Sequence, residues 1–356
     1  MKRHPARRGR TRSGVAVPAF LCLLFAAMLL LCSQAGGEQF AWELLARLTE
    51  NKYFVSGVLA LETGQYPVQQ AVHTPHTAGI GLEATEEDLV ETETAMENAG
   101  LEPASTAVSL NKADKAVTVN NQSGLDFDLE AMLASPKRLS AGQDGPQVLV
   151  YHTHATEAYT QADGDTYTSS GDARTTDTEK NVVRVGTELC KVLEDRGIKT
   201  VHLMDLNDYP AYNGSYGRSL ENVKAALKKY PTVQMTIDVH RDAILADDGT
   251  KYKVSTEQDG KTMAQLMLVM GTNASGLEFD NWKTHLNYAV TLQAALNETY
   301  PGLMRPINLR KQRFNLHLTK GSILLEVGSS GNTLQEALAA IRLFGNTLAT
   351  QLGAPQ

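Results

Sequence analysis

The sequence has little cysteine, few aromatic residues and, beyond its first segment, a shortage of basic charge. Three cysteines among 356 residues are too few for a disulfide-stabilised scaffold. Cys22 and Cys32 lie in or beside an apolar run, which leaves Cys190 alone in the remainder, so no intramolecular disulfide is expected there. With 42% hydrophobic and 21% charged residues, the composition excludes a collagen, a coiled coil or a wholly disordered chain.

The basic residues are unevenly distributed. Residues 1–37 contain six of the 33 Lys and Arg residues and no Asp or Glu. The other 27 basic residues are outnumbered by 40 acidic ones, so the rest of the chain carries a net charge of −13. Because so acidic a body repels the phosphate backbone, binding of nucleic acid through bulk charge is excluded.

The N-terminal segment predicts a membrane anchor. Residues 15–32 form an 18-residue run without a charged side chain, and a helix of that length spans about 27 Å, close to the hydrocarbon core of a bilayer. The basic tail, residues 1–14, is expected to stay in the cytoplasm and the following chain outside. We therefore assign a transmembrane signal anchor to residues 15–33, with a cleaved signal peptide as the alternative.

The remaining chain divides into a linker and a globular domain. Residues 34–104 include a strongly acidic stretch and are interpreted as an extracytoplasmic linker, mostly helical or disordered. Residues 105–356 form the predicted globular domain, whose core begins near residue 145. There, apolar runs of strand length alternate with amphipathic helices. The alternation predicts an α/β fold, with a mainly parallel twisted sheet and helices on both faces.

Three of the predicted strands end in polar residues that carry chemistry. These ends are HTHATE (152–157), DVHRD (238–242) and EVG (326–328). In an open α/β sheet, ligands gather beyond the carboxyl ends of the strands, so neighbouring strands would bring imidazoles and carboxylates to one place. Glu326 follows three apolar residues, where a carboxylate is costly unless it is paired, protonated or functional.

These residue types suit a zinc hydrolase. A catalytic zinc ion typically has three protein ligands from imidazole and carboxylate groups and keeps one position open. The ion polarises a carbonyl and lowers the pKa of water. A further carboxylate, held off the metal, can then move the proton from water to a leaving amine. Histidines, one carboxylate ligand and a spare glutamate are therefore sufficient for amide hydrolysis.

Five longer segments carry a recognisable pattern: LVYHTHATEAY (149–159), YPAYNGSYGRSL (209–220), IDVHRDA (237–243), KTMAQLMLVMGT (261–272) and SILLEVGSSGNTLQEA (322–337). Over roughly residues 105–356 the chain resembles a known family, stage II sporulation protein P, whose members are membrane-anchored peptidoglycan hydrolases of endospore-forming bacteria. This resemblance implies a fold like that of the zinc amidases (the amidase/phosphorylase type) and zinc as the cofactor.

The resemblance also implies roles for single residues. His154 and His240 match the positions of zinc-ligating histidines in the wider zinc amidase family, and Glu326 matches its catalytic glutamate. The carboxylate ligand is either Glu157, from the sporulation family's own HTHxTE motif, or Glu179, at the start of the first helix, where the amidase family places it. His152 either replaces His154 as a ligand or orients a ligand from behind.

The remaining candidates have two interpretations each. Arg241 is a catalytic candidate that would steady a substrate carboxylate or the developing oxyanion, or else forms an ion pair that shapes the strand end. Tyr212, Tyr216 and Arg218 either line a groove for the glycan and peptide of the substrate or pack within their loop.

The function implied by the resemblance is cleavage of the amide between N-acetylmuramic acid and L-alanine, with cleavage of peptide cross-links as a further activity. The setting would be engulfment, on the mother-cell membrane facing the forespore, alongside sporulation proteins D and M. One alternative is a catalytically silent wall-binding or scaffolding protein of the same fold. Another is a glycosidase that uses only the carboxylates of Glu157 and Glu326.

Overall fold

The computed structural model describes residues 115–354, with gaps at 141, 143, 163–165, 171–172 and 246–250. The predicted basic tail (1–14), transmembrane segment (15–33) and linker (34–104) lie outside the described residues. So do the first ten residues of the predicted globular domain. Among the described residues, no helix combines the length and the apolar character needed to cross a bilayer. The anchor therefore stays a prediction.

Strands and helices alternate along the described chain. The strands are β1 Val119–Asn121, β2 Val148–Tyr151, β3 Thr200–His202, β4 Met235–Asp242, β5 Ser255–Gln258, β6 Lys261–Ala264, β7 Leu266–Met270, β8 Ile307–Leu309 and β9 Ile323–Ser329. The helices are α1 Leu129–Ala134, α2 Val182–Asp195, α3 Ser215–Lys229, α4 Trp282–Thr299 and α5 Leu334–Gln351.

The main sheet has the order β1-β8-β7-β9-β4-β2-β3 in the part of the chain that the structure describes. All neighbouring strands in it run parallel except β7 and β9, which pair antiparallel. This confirms the predicted α/β class with a mainly parallel sheet. The antiparallel contact between β7 and β9 was not foreseen.

The central strands are buried on both faces, because helices cover each side. On one face Leu149 and Tyr151 of β2 pack in a cluster with Val223 of α3. The alternate residues Val148 and Val150 belong to the larger core, together with α2, α4 and α5. Since both sides of such a strand must be apolar, β2 (VLVY) and β7 (LMLVM) read as continuous hydrophobic runs, whereas polar residues interrupt β4 and β9.

Local signals set the ends of α2. The side chain of Asn181 caps its first turn by accepting from the backbone N–H of Val183 at 2.9 Å. The sequence predicts a helix over residues 179–196 that stops at Gly197. The structure confirms this stop, because Gly197 follows the last turn of α2 with φ +79°, a conformation that favours glycine.

The segment SLENVKAALKKY (219–230) predicts a helix with Ser219 as its N-cap, and the structure shows that this cap was wrong. Helix α3 begins at Ser215, after Gly214 with φ +83°. The Ser219 hydroxyl lies inside the helix and serves tertiary contacts instead, 2.9 Å from the Thr153 hydroxyl and 3.0 Å from the Asn315 amide nitrogen. A serine that bonds across the fold gives the same sequence signal as a capping serine.

The apolar run 263–271 predicts a single strand, but the structure divides it at Gln265. Its first part, β6, pairs with β5 in an antiparallel hairpin. The turn of this hairpin is Asp259-Gly260, with φ of +51° and +71°. A two-residue turn that matches the twist of its strands requires such positive φ values. The second part, β7, belongs to the main sheet.

Candidate active site

The candidate site lies where β2, β4 and β9 end side by side. Within this trio, Tyr151 is opposite Asp238, and His240 is opposite Glu326. His154 and Glu157 follow β2 directly in a turn. The three polar strand ends thus converge, as the neighbouring positions of their strands require.

Two imidazoles meet in this place. The ring centroids of His154 and His240 are 5.2 Å apart and the rings are nearly perpendicular, at 81°. Tyr212 stacks on the His154 ring at 4.6 Å, and the Tyr216 ring meets it edge-on at 5.6 Å. Burial lowers the pKa of His154 well below its usual value, which favours the neutral form that a metal ligand requires.

The Glu157 carboxylate lies between these histidines and two arginines. Its Oε2 accepts from the backbone N–H of Arg241 at 3.0 Å and lies 3.4 Å from His240 Nδ1. Its Oε1 lies 3.9 Å from the Arg241 guanidinium and 3.8 Å from that of Arg174. Burial opposes ionisation, but these cations and His240 hold the pKa of Glu157 far below its usual range. The carboxylate is therefore ionised.

Glu179, the alternative carboxylate ligand, lies elsewhere. Its side chain is 71% exposed and 3.9 Å from Arg184. Of the two candidates, the structure brings only Glu157 next to His240.

His240 is held between carboxylates. Its Nε2 lies 3.0 Å from Asp238 Oδ1, although the two atoms are not aligned as a hydrogen bond. Asp238 is fixed in turn by Thr153, whose backbone N–H and hydroxyl donate to it at 2.8 and 2.6 Å. Burial alone would lower the pKa of His240, but Asp238 and Glu157 raise it well above its usual value. In the metal-free protein, a protonated His240 thus balances these two carboxylates.

The surroundings of Glu326 act on its carboxyl group in the opposite direction to those of Glu157, because they raise its pKa. Glu326 is 2% exposed, and its Oε2 has no hydrogen-bond partner among the residues that the structure describes. Burial raises the pKa of Glu326 to about 8; His240 opposes that rise, and Asp242 and Glu157 add to it. A carboxyl group whose pKa lies near neutrality can both accept and return a proton.

This raised pKa predicts a pH-dependent stability. Between the unfolded pKa of 4.5 and the folded value of about 8, the folded state keeps a proton that the unfolded state loses. The free energy of unfolding therefore falls as the pH rises through this window, and Glu326→Gln removes that loss. In chelator, we expect the variant to gain about 4 kcal/mol over wild type between pH 5 and pH 9, or about 8–16 °C in Tm.

Glu188→Gln is the matched control for this experiment. The Glu188 carboxylate accepts from Arg342 at 2.6 Å and from Arg184 at 3.0 Å, away from the site. Its replacement should bring no gain at high pH. Parallel stability curves for wild type and Glu326→Gln would contradict the raised pKa.

Arg241 is used to hold the loop after β2. Its Nε donates to the Ala158 carbonyl at 2.9 Å and a terminal nitrogen donates to that of Ala173 at 3.1 Å. Of the two interpretations of Arg241, the geometry favours a positioning residue that braces Glu157 over one that contacts an oxyanion.

The loop predicted to line a substrate groove turns partly inward. Tyr216 is fully buried, and Arg218 donates to the backbone carbonyls of Asn207 and Ala211. Tyr212 is half-buried and borders a cleft of about 320 Å³ beside the site. The cleft is lined by Thr156, Ser170, Arg174, Asp208, Tyr209, Pro210 and Tyr212.

Sequence reasoning missed Arg174 and Asp208. Arg174 bonds Asp208 at 2.8 Å, lies 4.8 Å from the Tyr212 ring and approaches Glu157, so it connects the cleft with the site. Asp208 accepts from the backbone and hydroxyl of Thr156. Both residues come from irregular loops, where no periodicity marks them.

The described part of the chain contains no group of three or more His, Cys, Asp or Glu side chains already arranged to hold a metal ion. The donor types nevertheless fit zinc. His154, His240 and the ionised Glu157 are buried together, and two imidazoles with one carboxylate make a usual catalytic zinc set. The unpartnered Oε2 of Glu326 adds a polar atom whose burial is otherwise unexplained.

Fold and site together define an α/β protein with a buried histidine–carboxylate cluster at the edge of a mainly parallel sheet. A sequence model of the Stage II sporulation protein P family matches residues 59–349. The chain therefore belongs to this family.

One curated relative is the Stage II sporulation protein P of Bacillus subtilis (strain 168). It is 30% identical over 217 residues, which are 56% of this chain and 49% of that protein. The match thus spans about half the length of the relative.

Solved structures that match part of this chain include three N-acetylmuramoyl-L-alanine amidases. AmiC2 of Nostoc punctiforme is 15% identical with a TM-score of 0.32, covering 59% of this chain and 97% of that one. Apo Ami1 of Mycobacterium abscessus is 11% identical with a TM-score of 0.34, covering 59% and 98%. The amidase of Clostridium difficile 630 is 15% identical with a TM-score of 0.31, covering 59% and 94%.

Proposed function

We propose that this protein is a membrane-anchored, zinc-dependent peptidoglycan hydrolase that acts during sporulation. It cleaves the amide between N-acetylmuramic acid and L-alanine. The observation that carries the proposal is the buried group formed by His154, Glu157 and His240 with Glu326 beside it, in a member of the Stage II sporulation protein P family.

In this proposal His154, Glu157 and His240 hold the zinc ion. When bound, zinc supplies a Lewis acid that polarises the amide carbonyl and makes water more acidic. Arg241 keeps Glu157 in place through its backbone N–H and through the loop that its guanidinium bonds. Asp238 limits the movement of His240, from which it lies 3.0 Å away.

Glu326 handles the proton. It takes the proton from the attacking water and gives it to the leaving nitrogen of L-alanine, which departs as an amine. Burial raises its pKa, which makes the carboxylate a stronger base toward water, and the neutral acid that results can protonate the leaving nitrogen. The cleft beside Tyr212 receives the substrate, and the exposed ring of Tyr209 on its rim offers a flat apolar surface to a sugar.

The test uses the full chain, purified in detergent, on isolated peptidoglycan. We expect digestion to expose the amino group of L-alanine, to stop in chelator and to return with added zinc. Release of other amino groups from the cross-links would show an additional endopeptidase activity.

The same assay separates the alternatives. New reducing sugar ends that are unaffected by chelator would indicate the glycosidase. Binding of peptidoglycan without any cleavage would indicate the silent scaffolding protein.

The proposed location is the cell membrane, with the N-terminus in the cytoplasm and the catalytic domain outside. In the sporulating cell this is the mother-cell membrane facing the forespore, where sporulation proteins D and M are the proposed partners.

Protease added to intact protoplasts should degrade the domain after residue 105, because the anchor places it outside. A cytoplasmic protein serves as the protected control. Survival of the C-terminus would contradict this orientation, and a mature protein starting near Ser33 would indicate a cleaved signal instead.

A further inference from the structure

His152 lies on the other face of the sheet from the candidate site. It immediately follows β2, whose side chains alternate between faces. Its fully buried ring packs against α2 and meets His202 of β3 edge-on, with centroids 5.2 Å apart. The proposed zinc-dependent function leaves this histidine pair without a role.

The hydrogen bonds of the pair define a direction. Nδ1 of His152 lies 3.0 Å from the carbonyl oxygen of Val239, which can only accept, so this nitrogen carries a proton. Nε2 of His152 lies 2.9 Å from Nε2 of His202. In a neutral His152, Nε2 must accept, and His202 therefore donates. The protons thus point from His202 through His152 to the Val239 carbonyl.

The neighbouring helix leaves room for this arrangement. Gly186 of α2 faces the pair, and a Cβ atom there would stand 2.6 Å from His152 Nε2 and 2.8 Å from His202 Nε2. Real carbon atoms do not approach so closely. Even an alanine at 186 would force the two rings apart, and the glycine therefore serves this contact.

The accepting carbonyl belongs to the peptide that enters His240. The C=O of Val239 and the N–H of His240 share one planar unit, so a bond that fixes this carbonyl also fixes the direction in which the His240 side chain leaves the backbone. The regular ladder between β4 and β9 breaks between His240 and Asp242. The strand therefore loses regular support on one side at this point.

We propose that His202 and His152 form a hydrogen-bonded support that positions His240 from the opposite face of the sheet. In this inference, which rests on the proposed function, His152 and His202 are positioning residues and not metal ligands. His202 is half-buried and is the first hydrogen-bond donor of the support. Burial lowers its pKa to about 4, so it stays neutral near pH 7.

The experiment compares three variants of the full chain in detergent, with its nine histidines labelled with ¹⁵N. His202→Leu removes the donor, and His202→Gln restores an N–H at a similar position. His285→Leu is the control, because His285 is another buried histidine within reach of a backbone carbonyl, 3.4 Å from that of Ser322 at the far end of β9.

In the metal-free protein, His202→Leu should shift and broaden the imidazole nitrogen signals of His240, while His202→Gln and His285→Leu leave them near those of wild type. Zinc affinity should fall about 10-fold in His202→Leu and stay within about threefold of wild type in the other two. All the leucine variants should lower Tm.

The inference is overturned if His202→Leu lowers Tm but leaves the His240 signals as they are in the control. A wild-type protein without zinc affinity would reject the proposed function, and the His240 signals would still decide the role of the support.

Discussion

Glu326→Gln is expected to lower the hydrolysis of peptidoglycan by about 10²–10⁴-fold, the usual contribution of general acid–base catalysis. Zinc content and binding to the wall should stay near wild type. Glutamine keeps the size of the side chain and part of its hydrogen bonding, but it cannot accept a proton from water. Because Glu326 lies opposite His240 and its Oε2 bonds no other described residue, its loss should affect proton transfer and little else.

Glu188→Gln provides the matched control for activity as well. This variant also exchanges a buried carboxylate for an amide, but the Glu188 carboxylate belongs to an ion pair between α2 and α5. Loss of zinc from Glu326→Gln would make Glu326 a ligand and leave Glu157 or Glu179 as the candidate base. Retention of both zinc and full activity would make Glu326 structural and reject the amidase-like role of β9.

The contrast between Glu157 and Glu326 shows how one fold gives two carboxylates different chemistry. Glu157 has the Arg241 backbone, two guanidinium groups and His240 around it, so its pKa falls and it stays charged. Glu326 extends from an apolar strand and forms no ion pair within the described part of the chain, so burial dominates and its pKa rises to about 8. Such separation of pKa values commonly marks the assignment of roles at a catalytic site.

The sequence predicted the strand ends because their signal is local. The run ILL before Glu326, for example, shows both a buried strand and the polar residue that interrupts it. Only the strand order was missing, and the structure places β2, β4 and β9 side by side. The convergence of His154, Glu157, His240 and Glu326 follows from that order.

Other features depend on contacts that leave no local signal. The inward direction of Tyr216 arises from its position in the first turn of α3, which begins before the predicted cap at Ser219. The connection from Arg174 to Asp208 joins two loops 34 positions apart. Strand β8 has only three residues, Ile307–Leu309, too short for a recognisable pattern.

The sequence also left the role of His152 open, since HTH offers two imidazoles two positions apart. In an extended strand, residues two positions apart share a face of the sheet. The chain instead turns directly after His152, so His154 joins His240 and Tyr212 while His152 contacts Val239 and His202. A turn of this kind is set by Asp238, which accepts from Thr153, and this distant contact is invisible in the motif.

The other large effect is expected on zinc binding, when either His154 or His240 is replaced. His154→Ala and His240→Ala should each lose most of the bound zinc, a fall in affinity of more than about 100-fold, because each removes one of three proposed ligands. His152→Ala should be milder, at about 10–100-fold, since it acts only through the backbone of Val239. Zinc content and affinity, measured on the full chain in detergent, test this order.

We expect these variants to remain folded. Measuring the Tm of each variant in chelator will test this expectation. His154 and His240 lie at strand ends and outside the apolar core, and Glu157 keeps Arg241 and Arg174 as partners when His240 is absent. Full zinc occupancy in His240→Ala would reject the proposed ligand set. Equal losses in His152→Ala and His154→Ala would mean that the two histidines share the same role, although they lie on opposite faces of the sheet. The ranking therefore tests whether the turn after β2 separates a metal ligand from the residue that positions another.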